Sequence, residues 1–122
     1  YVASQDRLYF SNSVDTKLRF ITNPSDTAAS TLTTMPTQFL FSPINFIFKE
    51  DMTQLFYISN TGLYCMDISS GKAWCNNSTN LYPYSATMGI FSYGPNQMTW
   101  KDSTTLLIST YNGKILQYLL PP

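Results

Sequence analysis

The chain has 122 residues, enough for one domain with a real core but short of two comfortable ones. Seven basic and seven acidic residues give a formal net charge of zero, and only 11% of residues are charged, which removes the electrostatic case for nucleic acid or an anionic membrane as partner. Histidine is absent, so a Ser-His-Asp or Cys-His nucleophilic site and any His-containing zinc site are excluded. A general base at neutral pH would have to be a carboxylate, or a Lys or Tyr with a strongly shifted pKa. No apolar stretch reaches the roughly 18 residues of a spanning helix, so no membrane insertion is expected. The start, Tyr1-Val2-Ala3-Ser4, lacks methionine and the regions of a signal peptide, and reads as a chain processed or cut from something longer.

Nine Tyr and eight Phe among plentiful Ser, Thr and Asn favour strands with polar turns. Tyr1–Ser4 reads as a short strand and Arg7–Ser11 as a buried one. Lys17–Ile21 alternates, with Leu18 and Phe20 on one face and Lys17, Arg19 and Ile21 on the other. Asn23-Pro24-Ser25-Asp26 is a turn; Ala28–Thr34 reads as a polar edge strand or plain loop, and Met35–Pro43 as a linker pinned by Phe39, Leu40 and Phe41. Ile44–Phe48 alternates as a strand, with Lys49-Glu50-Asp51 as a polar hairpin into Leu55.

The stretch Leu55–Cys75 organises the chain. It reads as a β-meander: a strand Leu55–Ile58, a turn at Asn60-Thr61-Gly62, a return strand Leu63–Ile68, a turn at Ser69-Ser70-Gly71, and a third strand Lys72–Cys75. The first turn is expected to use the tolerance of Asn and Gly for positive φ. Cys65 and Cys75 flank Ser70 almost symmetrically. Opposed positions in such a hairpin bring Cβ atoms to about 4.5–5.5 Å, so a disulfide is expected. Asn76-Asn77-Ser78-Thr79 holds two overlapping glycosylation acceptors, at Asn76 and Asn77. Together these point to a secreted or cell-surface protein. The long segment that follows, Asn76–Pro95, lacks periodicity. Gln97–Trp100, Leu106–Ser109 and Lys114–Leu120 then read as strands, the last two joined at Asn112-Gly113, and no helix is expected.

Three segments echo one another. Ile47-Phe48-Lys49-Glu50 followed by Leu55-Phe56-Tyr57-Ile58-Ser59 matches Thr99-Trp100-Lys101-Asp102 followed by Leu106-Leu107-Ile108-Ser109, and Leu8-Tyr9-Phe10-Ser11-Asn12 begins a third copy. The period of about fifty residues lies in the range of propeller blades. The expected fold is therefore all-β, in blade-like antiparallel four-stranded meanders over residues 1–34, 43–76 and 96–122; a β-sandwich is the alternative. The pattern resembles blades of six-bladed propellers of the NHL-repeat and YWTD classes, with Leu8-Tyr9-Phe10-Ser11-Asn12-Ser13 standing where those blades carry L-Y-[WV]-[TA]-D-[ST]. The Asp of that signature is replaced by Asn12 here, and by Asn60 or Thr110 in the other copies. Three such blades do not close a ring, so the chain is expected to belong to a longer propeller or to assemble with further copies.

The resemblance implies protein or glycan recognition on a ring face, without chemistry. The candidate binding surface is the loop carrying Tyr82, Tyr84, Phe91 and Tyr93, since exposed aromatics anchor partners at low entropic cost. A structural subunit of an extracellular filament or coat is one alternative. A calcium-dependent hydrolase or lactonase is another, which the resemblance would supply with Asn, Asp and Glu ligands. Glu50, Asp51 and Asp102 occupy matching turns, but they read as solvated turn charges. No catalytic residue, metal site or cofactor is expected.

Overall fold

Antiparallel strands and one turn of 3-10 helix make up a computed structural model of the chain, which describes residues 1–12, 15–83, 97–109 and 113–122. The protein is all-β, with its strands in three antiparallel sheets. It divides into two units, Tyr1–Ser42 and Pro43–Pro122.

In the first unit β1 (Arg7–Phe10), β2 (Lys17–Thr22) and β3 (Thr31–Gln38) form a meander in chain order. The alternation in β2 sets its faces, because burying Leu18 and Phe20 together forces Lys17 and Arg19 to the other side. Tyr9 lies opposite Phe20 with ring centroids 5.2 Å apart, and the Arg7 guanidinium stacks 4.2 Å from the Phe20 centroid. Two expectations need correcting. Residues 1–4 form no strand: Ala3–Gln5 is a 3-10 turn, and only Val2 bridges to Arg7. The linker expected from Met35 begins later, because β3 runs through Pro36 to Gln38. Proline is tolerated there because β3 is an edge strand, and a register shift between Lys17 and Arg19 absorbs the irregularity. Phe39 is buried as expected, whereas Leu40 is exposed.

The second unit holds two sheets. In one, β4 (Asn45–Phe48), β5 (Gln54–Ser59), β6 (Gly62–Asp67) and β7 (Tyr82–Pro83) lie in chain order. In the other, β8 (Met98–Asp102), β9 (Thr105–Ser109) and β10 (Ile115–Leu119) do the same. Phe56, Ile58, Leu63 and Cys65 from the first sheet meet Leu106 and Ile108 from the second, and Cys75 and Leu120 complete the cluster. Fully burying side chains of this size contributes about 2–3 kcal/mol each. The register repeats between sheets: Phe48 pairs with Leu55 and Ile47 with Phe56, as Trp100 pairs with Leu106 and Thr99 with Leu107.

Lys72–Cys75 does not form the expected third strand. The Asp67 carboxylate takes hydrogen bonds from the Ser70 N–H and hydroxyl and from the Gly71 N–H, and Gly71 turns with φ +71°. These bonds spend the turn on local partners, and the chain re-meets β6 only at Asn76, bridged to Met66, with its fourth strand at Tyr82–Pro83.

The Asn60-Thr61-Gly62 turn is also made differently from the expectation. Ser59 pairs with Gly62, but none of the three turn residues has positive φ. Glycine is required for space, because a Cβ on Gly62 would collide with the Asn80 carboxamide, which donates 2.8 Å to the Thr61 carbonyl. Gly62→Ala is therefore expected to lower stability by about 1 kcal/mol, the worth of the displaced hydrogen bond, measured by urea unfolding. In an Asn80→Ala background the same substitution should be neutral or slightly stabilising; an equal loss in both backgrounds would contradict the steric account.

Candidate functional site

Two hairpin tips of the second unit share an aspartate–threonine cap. At the β4–β5 tip the Asp51 carboxylate accepts from the Thr53 N–H at 3.0 Å and from its hydroxyl at 2.6 Å. At the β8–β9 tip Asp102 accepts from the Thr104 N–H at 2.9 Å and its hydroxyl at 3.0 Å. An aspartate two residues before a threonine caps the turn through its own side chain, so the tip forms without help from the core. Met52 takes φ +63° in the first tip, and its N–H reaches the Lys49 carbonyl at 2.9 Å.

Trp100 ties the two tips together. Its indole N–H donates to the Phe48 carbonyl at 2.8 Å, and its ring meets Phe56 edge to face, with centroids 5.4 Å apart. Around it lies a groove of about 830 Å³ lined by Lys49, Glu50, Asp51, Trp100, Asp102 and Ser103. The groove carries three carboxylates against one ammonium. The Thr53 hydroxyl and N–H hold the Asp51 carboxyl below its ordinary range, and the Thr104 N–H does the same first for Asp102. Both are anions at neutral pH. Such a site can receive a cationic or aromatic side chain against the Trp100 ring. Among the described residues, no three of His, Cys, Asp and Glu are placed to hold a metal ion.

Glu50, Asp51 and Asp102 are exposed turn residues, as the sequence suggested, but the fold brings all three to one groove. Trp100 went unremarked as a site residue. The signal was present in the repeat, where Trp100 stands in place of Phe48 and adds an N–H donor at a position otherwise filled by a hydrocarbon ring.

The disulfide Cys65–Cys75 is formed, with Cα atoms 4.8 Å apart. It fixes the start of the acceptor loop, where the Asn77 N–H bonds the Cys65 carbonyl at 2.8 Å. The two asparagines then diverge. Asn76 is exposed, and its Oδ1 accepts from the Ser78 N–H and hydroxyl and from the Thr79 N–H. Asn77 is half-buried with φ +67°, and its Oδ1 accepts at 2.6 Å from the hydroxyl of the fully buried Tyr57. Of the aromatic residues expected on a binding loop, Tyr82 lies on β7, half-buried and packed against the core cluster. Tyr84, Phe91 and Tyr93 lie outside the described residues. Comparison with family models, curated proteins and solved structures finds no match to this chain.

The capped aspartates set a direction for the response to acid. Asp51 and Asp102 sit below the ordinary carboxyl value of 3.8. Asp67 does too, where burial opposes the shift and the Ser70 and Gly71 bonds overcome it. Asp15, paired with Arg19 at 2.7 Å, is lowered to about 2. Each folded-state pKa lies below its unfolded value, so the unfolded chain binds more protons as pH falls. The stability these groups contribute is fully present above the unfolded value and is lost as pH drops through the folded values. Melting temperature should therefore be lower at pH 2.5 than at pH 5, and an unchanged value would show that the caps do not stabilise the fold.

Proposed function

We propose that this chain is an extracellular, non-catalytic binding and assembly module, built from propeller blades of the NHL-repeat and YWTD kind. In this reading it holds a basic side chain of a partner protein segment in the groove between its matching hairpin tips. The groove carries the reading: two tips with the same aspartate–threonine cap, joined by one indole, frame a concave surface whose carboxylates outnumber its ammonium groups. The blade assignment is supported by consecutive antiparallel meanders and by the register shared between β4–β5 and β8–β9. Mechanism here means shape, stacking and charge. A lysine or arginine stacked on Trp100 would face Glu50, Asp51 and Asp102, and the anions would speed its encounter as well as hold it.

Titration with an arginine-bearing tetrapeptide, followed by the NMR signal of the Trp100 indole N–H, is expected to give a saturable shift that weakens with salt. Asp51→Asn and Asp102→Asn keep an Oδ1 acceptor for the threonine, so the tips survive while the charge is lost. Each should weaken binding roughly two- to fivefold, the range of an exposed ion pair. Affinity untouched by both substitutions would overturn the reading, and saturation by a neutral oligosaccharide instead would reassign the groove to a glycan.

Passage through a secretory pathway is supported by the Cys65–Cys75 disulfide and by the exposed acceptor beside it. Of the overlapping acceptors, Asn76 is the one the folded protein leaves open. Asn77 is half-buried, and its carboxamide is held against the sheet by the buried Tyr57 hydroxyl on its Oδ1, which restricts access to its Nδ2. The chain secreted from eukaryotic cells is expected to carry one glycan, lost in Asn76→Gln and also in Ser78→Ala, which removes the Asn76 acceptor and leaves Thr79 to serve Asn77 only if that site can be used. The kept-glycan outcome would place the sugar on Asn77; the expected mass therefore falls to the bare polypeptide in both variants, and a retained glycan in either contradicts the assignment.

A further inference from the structure

The two faces of the β8–β10 sheet differ in what covers them. Met98, Trp100, Leu106, Ile108, Leu116 and Tyr118 pack on the core cluster or belong to it. The opposite face carries Thr99, Leu107, Ser109, Ile115 and Leu119, and there Ile115 and Leu119 are each 70% exposed. A hollow of about 260 Å³ lies on this sheet, its lining including Leu107, Ser109 and Ile115.

The shared register says what belongs on that face. Aligning Phe48 and Leu55 with Trp100 and Leu106 places Ile47, Phe56, Ile58 and Leu63 in correspondence with Thr99, Leu107, Ser109 and Ile115. The first set is the face that β4–β7 turns towards the β8–β10 sheet in the core. The second set is the same face one repeat later, where Thr99 and Ile115 are exposed and Leu107 and Ser109 are half-buried. Each sheet thus offers one face backwards and the opposite face forwards, which is head-to-tail stacking. The occupant missing from the β8–β10 sheet is one that presents the backward face, the one carrying Leu106 here.

The first sheet of the chain displays such a face. In the repeat Leu8 corresponds to Leu106, each four residues before the position of the signature Asp, held here by Asn12 and Thr110. Across β1, β2 and β3, Leu8 pairs with Ile21 and Ile21 with Leu32, one apolar row spanning the sheet. Leu8 is 39% exposed and Leu32 64%. Lys17 and Arg19 lie on the same face; Arg19 is neutralised by Asp15 at 2.7 Å, and the exposed Lys17 stands at the first residue of β2, four residues from Ile21 in the apolar row.

We propose that the Ile115–Leu119 face of β8–β10 docks the Leu8–Ile21–Leu32 face of a second copy of this chain, head to tail. The docking rests on the repeat reading proposed above. Because the two surfaces are unlike, the interface is heterologous, and every copy keeps one free surface of each kind until a ring closes.

Sedimentation velocity of the full chain, together with two variants, tests this. The wild type is expected to self-associate below about 100 µM, where an interface of ordinary size would be populated. Ile115→Glu and Leu32→Glu should each be monomeric alone. Mixed, they should form a one-to-one dimer, because each retains the surface the other has lost. Both positions are exposed, so folding should survive, checked by near-ultraviolet circular dichroism; if Ile115→Glu fails that check, Leu119→Glu probes the same face. A wild type that stays monomeric overturns the docking, as does self-association that Leu32→Glu leaves intact, which would mean that like faces pair. A monomer whose groove still binds the arginine peptide would defeat the docking alone. Self-association without peptide binding would defeat the groove alone.

Discussion

Strand β5 is closed off on all sides, and much of the second unit follows from that. Its edges are paired to β4 and β6, and both faces are buried, so every residue from Gln54 to Ser59 lies out of solvent. Polar groups on such a strand must find partners within the protein. Gln54 donates its Nε2 to the Ser70 hydroxyl at 3.0 Å while its Oε1 is buried without a partner among the described residues, and Ser59 meets the Thr61 hydroxyl at 3.3 Å. Tyr57 takes the Asn77 carboxamide, which draws the loop beyond Cys75 back onto the sheet. Tyr64, stacked on Tyr57 with centroids 5.5 Å apart, meets the Thr61 hydroxyl at 2.7 Å. The turns around β5 are thus partly built to satisfy it.

A second consequence concerns where recognition can arise. The carboxylates of Asp51, Asp67 and Asp102 are committed to turns, each accepting from backbone N–H and hydroxyl groups two to four residues on. Capped turns are rigid at low cost, because an aspartate and a threonine hold them without drawing on the core. Two such tips side by side give a fixed frame, and Trp100 gives it an aromatic floor. Carboxylates used as caps stay ionised, so the bonds that shape the tips also set the electrostatic character of the groove.

Much of the strand order was legible in the sequence, for local reasons. Leu18 and Phe20 alternate with Lys17 and Arg19, the run Leu55–Ile58 is apolar throughout, and Gly71 and Gly113 take the positive φ that their turns need. The disulfide was legible from two cysteines set evenly about Ser70. What failed was decided by competition or by distance. Asp67 captured the turn that would have led into a strand at Lys72, and Gly62 is glycine because of Asn80, a neighbour only in the folded chain. The groove was least legible of all. It depends on an indole finding a carbonyl 52 residues away, and no local pattern announces that meeting.

The pairing of β6 gives the disulfide a further meaning. Among the described residues only Gly62 and Leu63 are matched to β7, and none forms a regular neighbour strand along the outer edge of Tyr64–Asp67. The segment clipped down by Cys65–Cys75 lies along that edge, with Asn76 bridged to Met66 and the Asn77 N–H on the Cys65 carbonyl. An open edge carrying Tyr64, Cys65 and Met66 is the kind of template on which foreign strands add and aggregates grow. The covalent link therefore acts as a guard rail as well as a brace. Reducing it would release the cover, so that the price of a lost disulfide is counted in solubility as well as in stability.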